Sequence, residues 1–215
     1  MLVKDRMTPN PVTIGPSTTF PEAFRILREK RIRHLPVVNK QGKLIGIVAL
    51  TDMLKASPSS ATSLSVFEMN YLLANLHVQE VMTSPPITVP EDAPLEEAAR
   101  IMVEKKIGCL PVMRDGELRG LITETDIFAT FVEILGGEEA SLRVTVRVRD
   151  VRGELARLSG LIAGMGGNIC SVARFRGEDP AHCYITFRLD GVEEEALIPA
   201  LRASVEEVVH VCCAG

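Results

Sequence analysis

The feature that most limits what this chain can fold into is an internal duplication. DRMTPNPVTIGPSTTFPEAFRILREKRIRHLPVVNKQGKLIGIVALTDML aligns with QEVMTSPPITVPEDAPLEEAARIMVEKKIGCLPVMRDGELRGLITETDIF across a single gap opposite Gln41. Met7-Thr8 falls on Met82-Thr83, Leu35-Pro36-Val37 on Leu110-Pro111-Val112, and Thr51-Asp52 on Thr125-Asp126. Self-similarity on this scale means one supersecondary unit used twice.

Each copy parses in the same way. A short extended piece, Pro11 to Ile14 or Pro86 to Val89, precedes a helix with Phe20, Ala23, Phe24 and Leu27, or Leu95, Ala98, Ala99 and Met102, on one stripe. The strand LPVV or LPVM follows, then a turn at Gly42 or at Asp115-Gly116, then LIGIVA or LRGLIT, then a second helix opening at Thr-Asp. The unit is β-α-β-β-α. It cannot cover both faces of its small sheet alone, so the copies are expected to pack about a pseudo-twofold axis. Between them, SPSSATSLSVFEMNYLLANLHV reads as a loop followed by an apolar helix that ties the copies together.

These repeats resemble a pair of CBS domains over roughly residues 3 to 135. The resemblance implies adenine nucleotides or related adenosyl ligands bound in clefts between the copies.

The strand-to-helix junctions GLITETDIF and GIVALTDML carry the chemistry. A strand that ends where a helix begins points free backbone N–H groups and the positive helix end outward, which suits a phosphate. Thr123 adds a hydroxyl donor, and the carboxylate of Asp126, three residues on, can accept both hydroxyls of a ribose. The same spacing also makes a capping box, with Thr123 as cap and Asp126 reaching back. The first copy has Ala49 in place of that hydroxyl and keeps Thr51 and Asp52. The resemblance adds Thr125, Arg33 and His34 as phosphate-side candidates. It places the base pockets at backbone Thr13-Ile14 and Thr88-Val89 with Pro36 and Pro111 nearby. Lys30 and Arg31 read as a solvated helix end.

After Phe131 the character changes. Gly136-Gly137-Glu138-Glu139 reads as a hinge, and SLRVTVRVR alternates Leu142, Val144, Val146 and Val148 with Arg143, Thr145, Arg147 and Arg149. That is a strand buried on one side. A helix from about Gly153 to Met165 follows, then strands NICSVARFR and HCYITFRLD, a helix with Ala196, Leu197 and Leu201, and a last strand VEEVVHVCC. The order β-α-β-β-α-β is ferredoxin-like. RDVRGELARLSGLIAGMGGNI resembles the ACT domain signature, over roughly residues 140 to 213. By that resemblance Asp150, Arg152, Gly153, Asn168 and Ile169 are candidate amino-acid-binding residues. Turn chemistry and a strand start explain the same residues without a ligand.

The expected fold is therefore α/β (α+β): a tandem CBS pair followed by a ferredoxin-like ACT domain. Expected boundaries are 1–60 for the first copy, 61–77 for the linker helix, 78–135 for the second copy and 140–215 for the ACT domain.

Composition excludes other classes. A formal net charge of -4 leaves no footprint for nucleic acid or an anionic membrane, and the arginines of the first C-terminal strand, with no aromatics between them, read as a solvated face. No membrane partner and a cytoplasmic setting are expected, since no apolar run is long enough to span and the start MLVKDRMTPN is too polar for a signal peptide. Cys109, Cys170, Cys183, Cys212 and Cys213 form no metal pattern and are expected as reduced thiols. His34, His77, His182 and His210 lie in four different elements, and no catalytic set is left over. The expectation is a homodimeric, non-catalytic sensor with no catalytic cofactor and no metal. Its regulatory ligand is ATP, ADP, AMP or S-adenosylmethionine, its ACT site takes an amino acid in one reading, and it acts on a regulated partner protein. The competing expectation is a ligand-free dimeric scaffold.

Overall fold

A computed structural model describes residues 1–56, 65–136 and 141–214. The loop expected at the start of the connector, and Gly137-Glu138-Glu139 of the expected hinge, lie outside the described residues. The chain divides into two compact units, Met1–Ile127 and Phe128–Gly215.

In the first unit a 3-10 turn, Val3–Asp5, leads to β1 (Thr8–Pro9), α1 (Phe20–Glu29), β2 (His34–Val38), β3 (Leu44–Ala49) and α2 (Leu50–Ala56). After α3 (Val66–Asn75) the pattern repeats as α4 (Val78–Val81), β4 (Val89–Pro90), α5 (Leu95–Lys105), β5 (Cys109–Arg114), β6 (Glu117–Thr123) and α6 (Glu124–Ile134), a helix whose residues from Phe128 on belong to the second unit. The single gap between the copies has a local cause. In the second hairpin Asp115 (φ 51°) and Gly116 (φ 81°) both take positive φ, as a two-residue primed turn requires. The first hairpin uses a longer loop in which Asn39 Oδ1 accepts from the N–H groups of Gln41 and Lys43, each at 3.0 Å.

Sequence repeat and packed unit do not coincide, because the copies exchange their N-terminal segments. β1 of the first copy pairs antiparallel with β6 of the second, Thr8 opposite Leu121 and Pro9 opposite Gly120. Reciprocally, Thr83 bridges Ile47 of β3. Val3 is fully buried in the core of the second copy with Leu110, Val112 and Ile122, and Val78 is fully buried in that of the first with Leu35, Val37 and Val48. The exchange needs glycine at the head of each junction motif. A Cβ on Gly120 would lie 2.9 Å from the Thr8 carbonyl oxygen, and one on Gly46 3.2 Å from that of Thr83.

The connector helix forms where expected, with Ser65 and Glu68 as a reciprocal capping box at its start. It differs in packing. Among the described residues, Leu73 and Leu76 pack on the first core, no connector side chain packs on the second, and Phe67, Tyr71 and Leu72 stay exposed.

The second unit carries β7 (Ser141–Arg149), α7 (Glu154–Gly164), β8 (Asn168–Arg176), β9 (His182–Asp190), α8 (Glu194–Arg202) and β10 (Glu207–Ala214). Its antiparallel sheet runs β10-β7-β9-β8, the ferredoxin-like order. Leu142, Val144, Val146 and Val148 meet Ile185, Phe187 and the α7 residues Leu158 and Ile162 in one core. The opposite face is less solvated than the alternation implies. Thr145 and Thr186 are buried there as a hydroxyl pair at 2.9 Å, and Arg143 and Arg147 are half-buried. All five cysteines are free.

Candidate functional site

Both junctions form, and each sits in a cleft built from the two copies together. The Thr123 cleft, about 330 Å³, is lined by Leu121, Thr123, Thr125 and Asp126 of the second copy and by Thr8, Asn10 to Val12 and Arg31 to His34 of the first. The Ala49 cleft, about 260 Å³, is lined by Ile47, Ala49, Thr51, Asp52 and Lys55 of the first copy and by Thr83, Ile87 and Lys106 to Cys109 of the second. His34 borders both. A larger cavity, about 690 Å³, lies against α1 and Leu73 and holds none of the residues expected from the sequence.

The geometry at the two junctions differs by one hydroxyl. At the second, Asp126 Oδ2 accepts from the Thr123 N–H at 2.8 Å and from Thr123 Oγ1 at 2.7 Å, and the Asp126 N–H donates to Oγ1 at 3.4 Å. This is the capping box. At the first, Asp52 Oδ2 accepts from the Ala49 N–H at 3.0 Å, so half of the box remains. Both junctions are pinned alike to the residue ahead of the facing strand. Leu50 N–H donates to the Arg33 carbonyl at 2.8 Å and Glu124 N–H to that of Gly108 at 3.1 Å.

The cations that meet the two junctions differ. Arg33 crosses to the second copy, where its Nη2 donates to Thr125 Oγ1 at 2.8 Å. At the position matching Arg33 the other cleft has Gly108, and at that of His34 it has Cys109. The cleft that keeps the threonine hydroxyl therefore also receives the arginine. Burial, then the Arg33 guanidinium, hold the His34 imidazole below its ordinary value against the opposing pull of Asp52. Burial first, and the Asp126 carboxylate second, push the Cys109 thiol up to about 12. It is a thiol rather than a thiolate at neutral pH, and no nucleophile.

Other expected site residues fall elsewhere. Ile14 and Val89 are core side chains, and their backbones are committed to the sheet: Ile14 N–H donates to Pro36 O and its carbonyl accepts from Val38, while Val89 pairs with Val112. Pro36 and Pro111 are buried within β2 and β5. Thr13 and Thr88 are exposed and line neither cleft. The lining comes instead from residues just upstream, Thr8 and Asn10 to Val12 on one side and Thr83 with Ile87 on the other. The matched Met-Thr pairs were the sequence signal for those positions.

In the second unit the amino-acid candidates do not converge. Asp150 Oδ1 accepts from Arg174 Nη2 at 2.5 Å, near the end of β8, whereas Asn168 opens that strand. Six residues of strand separate Arg174 from Asn168, about 20 Å. Gly153 takes φ 85° at the start of α7, Arg152 and Asn168 are exposed, and Ile169 packs against the core. No metal-binding cluster of His, Cys, Asp or Glu occurs among the described residues, and no helix among them is long and apolar enough to cross a membrane.

A family profile, the CBS domain, matches residues 3–59 and 78–133. The chain belongs to the CBS domain family. Among solved structures, a protein of Vibrio cholerae assigned to acetoin utilization (AcuB) is 34% identical, with a TM-score of 0.53 over 63% of this chain and 93% of that one. A CBS pair in complex with 5'-methylthioadenosine and S-adenosyl-L-methionine is 32% identical, with a TM-score of 0.52 over 65% of this chain and 98% of that one. CBSX2 of Arabidopsis thaliana, in complex with AMP, is 32% identical with a TM-score of 0.52, covering 62% of this chain and 97% of that one. CBS pairs also match inside much longer proteins. A homoserine O-acetyltransferase of Methanohalobium evestigatum is 33% identical over 126 residues, 58% of this chain but 23% of the relative.

Proposed function

We propose that this chain is a non-catalytic regulatory protein that binds an adenine nucleotide or related adenosyl ligand in the clefts of its CBS pair. The observation that carries the reading is the Thr123 cleft. A carboxylate, two threonine hydroxyls, a helix N-terminus and the Arg33 guanidinium converge there, which is a donor and acceptor set suited to a ribose and a phosphate. Relatives with CBS pairs bind AMP, 5'-methylthioadenosine and S-adenosyl-L-methionine, which supports the ligand class. On entry, the ribose displaces the Thr123 hydroxyl from Asp126, and the phosphate takes Arg33 from Thr125. In this reading Asp52 and Thr51 serve the second, weaker cleft.

The ferredoxin-like unit is, in the same proposal, an ACT domain that serves homodimer formation. An amino acid would bind there only with residues from a second copy, since Asp150 and Asn168 lie at opposite ends of β8. Ligand binding would bias the pair toward one arrangement and so alter a partner protein, with the coupling reciprocal. A cytoplasmic setting belongs to this reading.

A scaffold without a ligand is favoured by one observation: Asp126 already satisfies the cap. Calorimetry and thermal denaturation with ATP, ADP, AMP, S-adenosylmethionine, 5'-methylthioadenosine and the amino acids separate the two. The sensor gives a saturable adenosine-dependent shift. Absence of any shift would leave the scaffold.

A further inference from the structure

Arg143 of β7 and Arg188 of β9 stand directly opposite each other in the sheet register. Their chain neighbours Leu142, Val144, Phe187 and Leu189 fill the core, so both arginines project from the other face of the sheet. Cross-strand partners have Cβ atoms about 5 Å apart, and like charges so placed repel. Both side chains are half-buried, which weakens the screening of that repulsion by water.

Other arginines of this unit solve the problem with carboxylates. Arg147 pairs with Asp179, Arg149 with Glu206, Arg157 with Glu154, and Arg174 and Arg176 with Asp150. Among the described residues no carboxylate lies within ion-pair distance of Arg143 or Arg188. Their contacts are neutral. Arg188 Nη1 donates to Ser141 Oγ at 3.1 Å, and Arg143 Nη1 meets His210 Nδ1 at 3.4 Å, an atom that must accept because guanidinium only donates. Ser171 stands opposite Arg188 on β8, and the Gly136 backbone closes over them: a Cβ there would lie 2.9 Å from Arg188 Cδ and 3.6 Å from Ser171 Oγ.

We propose that Arg143 and Arg188, with the hydroxyls of Ser141 and Ser171, form a binding site for a small oxyanion carrying a phosphate or carboxylate group. Two guanidinium forks supply paired donors to two edges of one such group, and the bound charge offsets their repulsion. The site shares no residue with the nucleotide clefts or with Asp150, Arg152, Gly153 and Asn168.

The test uses the full chain, with inorganic phosphate and malonate as probes, each against sodium chloride of equal ionic strength. At least one probe is expected to raise the melting temperature beyond chloride and to bind saturably by calorimetry; the stronger one identifies the phosphate or the carboxylate source. Arg143→Gln and Arg188→Gln each weaken binding at least tenfold, while Arg100→Gln, on α5 and outside both clefts, leaves it unchanged. Ser171→Asp supplies an internal carboxylate beside Arg188; it is expected to raise the melting temperature in chloride and abolish the anion response. No response beyond chloride overturns the proposal. So does a response lost in Arg100→Gln, or one fully retained in the two arginine variants or in Ser171→Asp.

Discussion

Asp126 and Asp52 are the same residue of one duplicated motif, at the same place on the same turn, and they stand in different company. Asp126 binds a hydroxyl as well as a backbone N–H and lies in a cleft with Arg33; Asp52 binds the N–H alone and shares its cleft with Gly108 and Cys109. Duplication preserved the backbone chemistry at both junctions, while single side chains separated them. Because each cleft draws on both copies, a change in one copy alters the cleft of the other.

The largest expected effects come from the glycines that admit the exchanged segments. Gly120→Val should cost about 2 to 3 kcal/mol of stability by overpacking, and Gly46→Val about 1 to 2, read from urea unfolding midpoints. The order follows from the carbonyls, 2.9 Å from a Cβ on Gly120 and 3.2 Å from one on Gly46, since a thioether that can shift, Met7 or Met82, crowds both positions alike. Equal losses would break the comparison.

Ligand affinity comes next. Asp126→Ala should weaken adenine nucleotide binding by roughly tenfold or more, the scale of about 1.5–3 kcal/mol for hydrogen bonds to a charged group. Asp52→Ala should weaken it less, and calorimetry on both variants decides. A smaller effect concerns the hydroxyl itself. Thr123→Ala should lose about 1 kcal/mol of stability as a cap, and Ala49→Thr should regain a similar amount by completing the box in the first copy. If Ala49→Thr also raises affinity in the weaker cleft, the asymmetry rests on that one group.

The smallest effect is one of pH. The folded pKa of His34 is depressed below the usual imidazole value of about 6.5 by burial and Arg33, so below neutrality the unfolded chain binds more protons there than the folded one. Its contribution to stability is present above that value and is lost as pH falls through it. His34→Gln should flatten the decline in stability between about pH 7 and 5.5, measured by urea unfolding at each pH.

The repeat, both junctions and the ferredoxin-like order were legible because each rests on local signals: period, turn chemistry and the Thr-Asp pair. The exchange of segments was not. Nothing local in MLVKDRMT says that Val3 belongs to the core around Leu110, or that Thr8 pairs with Leu121. That gap also explains why Arg33 was legible as a candidate, but not the junction it serves. The clefts are lined a few residues upstream of Thr13-Ile14 and Thr88-Val89, because the backbone at Ile14 and Val89 pairs with β2 and β5 and the preceding turns face the clefts. Likewise Arg143 and Arg147 alternate like solvated residues, yet the width of the sheet half-buries them.

The exchange also sets an order of events during synthesis. Val3 and Thr8 leave the ribosome more than a hundred residues ahead of their partners Leu110 and Leu121. Until then the nascent chain carries an unpaired strand, and until Val78 emerges it also carries an unfilled pocket in its first copy. Such long-range closure is slow and leaves apolar surface waiting. Stalled or truncated products ending in the connector should therefore be the aggregation-prone species, and the pair, rather than either copy, the smallest piece able to complete itself.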